Sequence, residues 1–156
     1  MEFFDYKRYR VLFVDDEPQT CKYFERAFNG DFNIVTATDP NAALELLRTQ
    51  GDDFGVIVTD QRMPGKTGVD ILKEFRRSRP NVTRILTTAY ADLSSAVDGV
   101  NTGAIFRYIT KPWNLKELSG VLKRAMEFFL LQKDRDVLLK LKISALQRMV
   151  VTDRIR

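Results

Sequence analysis

Short uninterrupted apolar runs alternate along this chain with longer stretches in which apolar residues recur every three or four positions. The runs fall at residues 10–14 (RVLFV), 32–37 (FNIVTA), 54–60 (FGVIVTD), 82–87 (VTRILT) and 105–110 (IFRYIT). A β-branched run such as Val56-Ile57-Val58, with no apolar/polar alternation, fits a strand covered on both faces, as in a parallel sheet between helices. The intervening stretches carry helix-spaced residues: Cys21, Phe24, Ala27 and Phe28, then Ala43, Leu44, Leu46 and Leu47, then Val69, Leu72 and Phe75. A weaker helical pattern covers 92–101. Pro18 suits a first helical turn, Asp39 is placed to cap a helix, and Gly30, Gly51, Gly103 and Pro80 mark helix ends. Five strands alternating with five helices predict a doubly wound α/β sheet of parallel strands. Right-handed crossovers would then bring all the strands' carboxyl ends to one rim.

The last helix, starting near Asn114, runs on past the point where such a domain would close. Residues 121–156 contain neither Gly nor Pro, enough for a helix of about 50 Å at about 1.5 Å per residue. Leu139, Ile143, Leu146 and Val150 recur at the spacing of a coiled-coil seam, with Leu138, Leu141, Ala145 and Met149 alongside. The pattern divides the chain into a domain at 1–124 and a helical extension at 125–156. A homodimer through the extension is the expected arrangement; an amphipathic helix folded back on its own domain is the alternative.

Composition narrows the chemistry. At 156 residues and 44% hydrophobic content, the chain has the size and make-up of one globular domain with an element to spare. No apolar run approaches the roughly 20 residues of a membrane span, and MEFFDYKRYR lacks the apolar core of a signal peptide, so a cytoplasmic protein without membrane contact is expected. There is no histidine, and Cys21 is the one cysteine, which removes triads, imidazole bases and thiolate metal sites. Net charge is +4. The basic excess lies after residue 122, where 9 Lys+Arg face 4 Asp+Glu. A basic helical face is usually a solvated one, and no nucleic-acid recognition motif is visible, so this segment is not expected to contact nucleic acid.

What remains is oxygen chemistry at the rim. Asp15 and Asp16 end the first run, Asp60 ends the third, Thr87 or Thr88 the fourth, and Lys111 follows the fifth. Clustered carboxylates repel one another unless a cation neutralises them, and an all-oxygen set suits Mg²⁺ with phosphate oxygens. A lysine ammonium and a threonine hydroxyl complete a set able to stabilise a phosphoryl group passing to an aspartate. Two other phosphate motifs fit poorly. Gly65-Lys66-Thr67 mimics a P-loop end, but Asp60 stands where that loop needs glycine; the haloacid-dehalogenase pattern wants Asp two residues after the nucleophile, where Arg62 stands.

The stretches FVDDE (13–17), VTDQRMPGKTG (58–68), LTTAYAD (86–92) and FRYITKPW (106–113) resemble the receiver domains of two-component response regulators, in that family's order and spacing. The resemblance implies a flavodoxin-like five-stranded fold and Asp60 as phosphoacceptor. It further implies Mg²⁺ held by Asp15, Asp16, Asp60 and the backbone carbonyl of Arg62, with Lys111 contacting the phosphoryl group. Thr88 aligns with the switch hydroxyl and Tyr108 with the switch aromatic, while Arg62 and Tyr90 occupy positions that tune phosphoryl lifetime. The implied partner is a sensor histidine kinase or phosphotransfer protein. The implied role is a signalling switch that catalyses only its own phosphorylation and dephosphorylation, and the extension is expected to lead to an output domain beyond Arg156. The competing expectations are a phosphorylation-independent interaction module and a Mg²⁺-dependent aspartyl-phosphate phosphatase.

Overall fold

The computed structural model describes residues 4–155, and side chains within that range except those of Tyr90, Leu93, Ser95 and residues 151–155. Among the described residues, strands β1 (Arg10–Val14), β2 (Asn33–Ala37), β3 (Phe54–Asp60), β4 (Thr83–Thr88) and β5 (Arg107–Thr110) alternate with helices α1 (Pro18–Phe28), α2 (Pro40–Gln50), α3 (Gly68–Ser78), α4 (Leu93–Asn101) and α5 (Leu115–Ile155). All strand pairs are parallel, in the order β2-β1-β3-β4-β5. This is the doubly wound sheet that the alternation of patterns predicts.

The local reasons are those of the sequence. Every residue of β3 is buried, which is why its run lacks alternation. Asp39 accepts a hydrogen bond from the Ala42 N–H at 2.7 Å, and Thr67 and Asp70 form a reciprocal capping box at α3. Asn114 caps α5 by accepting from the Glu117 N–H at 3.0 Å. The strand boundaries move slightly: β5 begins at Arg107, because Ile105 turns into the core before the ladder starts. In α1 the inner face is Cys21, Phe24 and Phe28, and Ala27 is exposed. Phe13 of β1 stacks on Phe24 at 4.1 Å between ring centres, fixing α1 against the sheet directly beneath the rim.

Helix α5 has two different halves. Its first half covers the sheet with Leu118, Val121, Leu122, Ala125, Met126, Phe129 and Leu130, all buried. Gly55 makes room for it: a Cβ there would stand 2.7 Å from the Met126 sulfur and 2.9 Å from the Phe129 ring. Three contacts then hold the helix as it leaves the sheet: Tyr6 donates to Glu127 at 2.8 Å, the Lys133 ammonium lies 4.8 Å from the Tyr9 ring centre, and Asn81 donates to Asp136 at 2.8 Å. Beyond them, residues 137–150 are exposed on all sides. Of the extension expected at 125–156, the start still packs on the sheet and residues 137–150 are exposed. No described helix is long and apolar enough to cross a membrane.

Candidate functional site

The strand order reverses between β1 and β3, and it is beyond the carboxyl ends of such a pair that open α/β sheets hold ligands. Asp15 and Asp16 follow β1 directly and Asp60 is the last residue of β3. One carboxylate oxygen from each of the three lies within 4.8 Å of the others. Asp15 is buried, Asp60 nearly so, and Asp16 open to solvent, so the cluster is anchored on one side and accessible on the other. It faces an open cleft of about 560 Å³ whose walls include Glu17, Arg62, Met63, Ala89 and Asp92.

Lys111 follows the edge strand β5, two strands away from β3. Its backbone N–H donates to the Thr88 carbonyl at 2.9 Å, carrying the side chain over β4 toward the cluster. The ammonium is 3.0 Å from Asp15 Oδ2 and 3.3 Å from Asp60 Oδ1, so it bridges both carboxylates and lies slightly nearer Asp15. The other Asp15 oxygen, Oδ1, accepts the Glu17 N–H at 2.9 Å. Burial pulls the Lys111 ammonium down, but the adjoining carboxylates outweigh it and hold the group above its ordinary value. Burial also pushes the Asp60 carboxyl up, and Asp15 adds to this, against the opposing pull of Lys111. Three carboxylates gather beside one ammonium, which reaches only Asp15 and Asp60, and the excess negative charge on hard oxygen donors fits Mg²⁺. Asp15, Asp16 and Asp60 are the side chains that would hold it.

The other rim residues stand further from the cluster's chemistry. Thr88 is buried, and its hydroxyl donates to the Ala89 carbonyl at 3.2 Å. Thr87 is also buried, with a hydroxyl that has no partner among the described residues. Tyr108 is exposed. The Arg62 side chain pairs with Asp92 at 2.8 Å across the mouth of the cleft. The Tyr90 side chain lies outside the described residues.

Two further residues hold Asp60 in place, and pattern reading alone passes over them. Gly68, at the start of α3, presses against the Asp60 backbone: a Cβ there would sit 2.2 Å from the Asp60 carbonyl oxygen. Its N–H donates to the Gln61 carbonyl at 3.0 Å, and the Gln61 side chain accepts the Val69 N–H at 3.0 Å. Their signal in the sequence is a glycine eight residues after a strand-end aspartate, visible only once the strand end is known. Beneath the site, Cys21 donates to the Asp15 carbonyl at 3.4 Å, and burial with the nearby Asp15 charge pushes its thiol up to about 11.

Residues 11–123 match the model of the response regulator receiver domain. The chain belongs to that family. Over 128 residues it is 38% identical to the hydrogenase transcriptional regulatory protein HoxA of Cupriavidus necator, an alignment covering 82% of this chain and 26% of that protein. Among solved structures, the receiver domain is similar to an adenylate cyclase from Rhodopirellula baltica (TM-score 0.81, 29% identity, 86% of this chain and 98% of that one). It is also similar to the response regulator TrrA from Thermotoga maritima, solved in complex with Mg²⁺-BeF (TM-score 0.67, 27% identity, 75% of this chain and 98% of that one). The chain spans about a quarter of the length of the curated relatives it matches. Receiver domains partner with histidine kinases, and the acidic triad is typical of the Mg²⁺ site in these domains.

Proposed function

We propose that Asp60 accepts a phosphoryl group from the phosphohistidine of a sensor kinase or phosphotransfer protein, and that the domain thereby switches an output carried through α5. One observation carries the reading: Asp15, Asp16 and Asp60 converge with Lys111 at the β1/β3 rim, open to solvent on the Asp16 side. In the transfer an Asp60 carboxylate oxygen forms a bond to phosphorus while the phosphorus–nitrogen bond of the donor breaks, and the imidazole leaves with its electron pair. Asp15 and Asp16, with the Arg62 backbone carbonyl, are assigned to Mg²⁺. When bound, the ion supplies charge neutralisation for the approaching phosphoryl oxygens. Lys111 would exchange its contact with the Asp60 oxygen for one to the phosphoryl group and keep Asp15 as its anchor.

Thr88 and Tyr108 are assigned to the switch. With the Thr88 hydroxyl on its own loop and Tyr108 exposed, the present arrangement is read as the unphosphorylated one. A phosphoryl oxygen at Asp60 offers Thr88 a stronger, charged acceptor; moving the hydroxyl there leaves room for Tyr108 to turn inward. Arg62 and Tyr90, flanking the site, are assigned to the lifetime of the acyl phosphate through their bulk. Residues 1–124 act as the phosphoacceptor unit and 125–156, once past the buried residues Ala125, Met126, Phe129 and Leu130, as a dimeric coiled-coil linker to an output domain; the exposed Leu139, Ile143, Leu146 and Val150 of this linker are covered by a second copy.

Incubation with acetyl phosphate tests the acceptor. Intact mass spectrometry is expected to show one added phosphoryl group in the presence of Mg²⁺ and none after chelation or in Asp60→Asn. Equal labelling of Asp60→Asn would refute the assignment.

A further inference from the structure

The Arg62–Asp92 ion pair joins the loop after the acceptor aspartate to the loop after Thr88, the two segments between which the proposed switch acts. Arg62 follows β3 and the acceptor aspartate; Asp92 closes the single turn after β4, Tyr90–Asp92, that follows Thr88. The turn is tightly connected to Thr88, because the Ala89 carbonyl accepts both the Thr88 hydroxyl, at 3.2 Å, and the Asp92 N–H, at 2.9 Å. Drawing Thr88 toward Asp60 therefore disturbs the same carbonyl that positions Asp92.

A second observation concerns what Asp92 does not do. It stands at the N-cap of α4, where aspartate normally accepts a hydrogen bond from the first turn, yet its side chain makes no cap bond. The carboxylate is turned instead to Arg62, 2.8 Å away, with Asp92 largely covered and Arg62 mostly in solvent. In this arrangement the carboxylate therefore serves Arg62 through Oδ1 and leaves the α4 N-terminus without its cap.

We infer that Asp92 is a positioning residue with two alternative partners, Arg62 in the resting state and the α4 N-terminus after phosphorylation, so that the ion pair latches the loop that follows Thr88. The inference rests on Asp60 being the acceptor. Releasing the latch removes an exposed ion pair and supplies α4 with its cap. The pair's share corresponds to about a twofold to fivefold bias toward the resting state, as for other exposed pairs.

The test is the affinity for beryllofluoride, a phosphoryl mimic, measured in Mg²⁺ by fluorine NMR. Asp92→Asn, which caps a helix but forms no ion pair, is expected to bind about twofold to fivefold more tightly than the unmodified protein. Its α4 amide resonances should move toward their beryllofluoride-bound positions before the mimic is added. Asp92→Glu should return the affinity toward the starting value, and in an Arg62→Gln background Asp92→Asn should have no further effect. Mimic binding by the unmodified protein, with Asp92→Asn unchanged or equally effective in both backgrounds, overturns the latch alone. No Mg²⁺-dependent binding by the unmodified protein overturns the acceptor reading and the latch with it.

Discussion

The two halves of α5 are built from similar residues and meet opposite fates. Leu118, Leu122 and Phe129 are buried against β3 and β4, while Leu139, Leu146 and Met149, further along the same helix, stand in water. Propensity does not separate them, since both are rich in good helix formers. What separates them is a partner. The first half has a sheet notched by Gly55 to receive it; the second has left the sheet behind. A helix that exposes Val137, Leu138, Leu139, Leu141, Ile143, Leu146, Met149 and Val150 together leaves an apolar surface that soluble monomers rarely tolerate. One half stores the stability of the domain, and the other stores an unsatisfied interaction.

The sharpest way to break this contrast is to truncate one large side chain in each half. Phe129→Ala should destabilise the domain by about 3–5 kcal/mol in urea denaturation. Leu146→Ala should change the stability of the dissociated chain by less than about 0.5 kcal/mol while weakening self-association in sedimentation. Equal losses in both would mean that the second half is packed on the domain after all.

Next in size is the support under the acceptor. Gly68→Ala sets a methyl group against the Asp60 backbone, and overpacking of this kind should cost about 1–3 kcal/mol. The same variant should slow Mg²⁺-dependent labelling with acetyl phosphate, since it displaces the aspartate itself. Gly30→Ala, at a site with nothing within 4 Å of the added carbon, should do neither.

Titration gives smaller effects. Cys21 is buried with its thiol pushed up to about 11 from 9.0. The neutral thiol's contribution to stability is therefore complete below pH 9 and is lost as pH rises toward about 11. At pH 8 the thiolate fraction falls about 100-fold relative to an unshifted thiol, so native Cys21 should react with a maleimide at least that much more slowly than after denaturation. Asp60, raised by burial and Asp15, follows the same sign from a lower range: the protonated form is favoured by the fold, and its contribution is lost as pH rises through the folded value. Ionised Asp60 therefore burdens the metal-free domain at neutral pH. Asp60→Asn should raise the thermal midpoint in chelator, and the advantage should shrink as pH is lowered or Mg²⁺ is added. A lower midpoint for the variant in chelator would show that Lys111 already compensates the charge.

The sequence was most legible where pattern and chemistry coincide. The covered run of β3 and the acidic ends of β1 and β3 predict a parallel sheet and the cluster at its rim; the strand order that places the cluster in a crevice comes from the structure. The long α5 follows from the missing Gly and Pro after Gly120. Less legible were features that depend on close three-dimensional approach. The Cβ-free contact of Gly68 on Asp60, the notch at Gly55 and the turn of Asp92 away from its cap toward Arg62 each join segments whose relative placement no periodicity encodes. Ala27 falls at helical spacing yet is exposed, because the α1 stripe is narrower than its apolar content implies. Lys111 was legible as a rim cation; its nearer approach to Asp15 than to Asp60 depends on a loop path that β5 alone does not define.

The account's central claim is that chemistry at the acidic rim controls the unsatisfied half of α5. Sedimentation velocity of the chain in Mg²⁺, with and without beryllofluoride and alongside Asp60→Asn, tests it most directly. The account predicts that the mimic changes the association state or shape of the unmodified protein and leaves Asp60→Asn unaltered. Sedimentation unchanged by the mimic under conditions where fluorine NMR shows it bound would contradict that claim, separating the switch at Asp60 from the helix that leaves the domain.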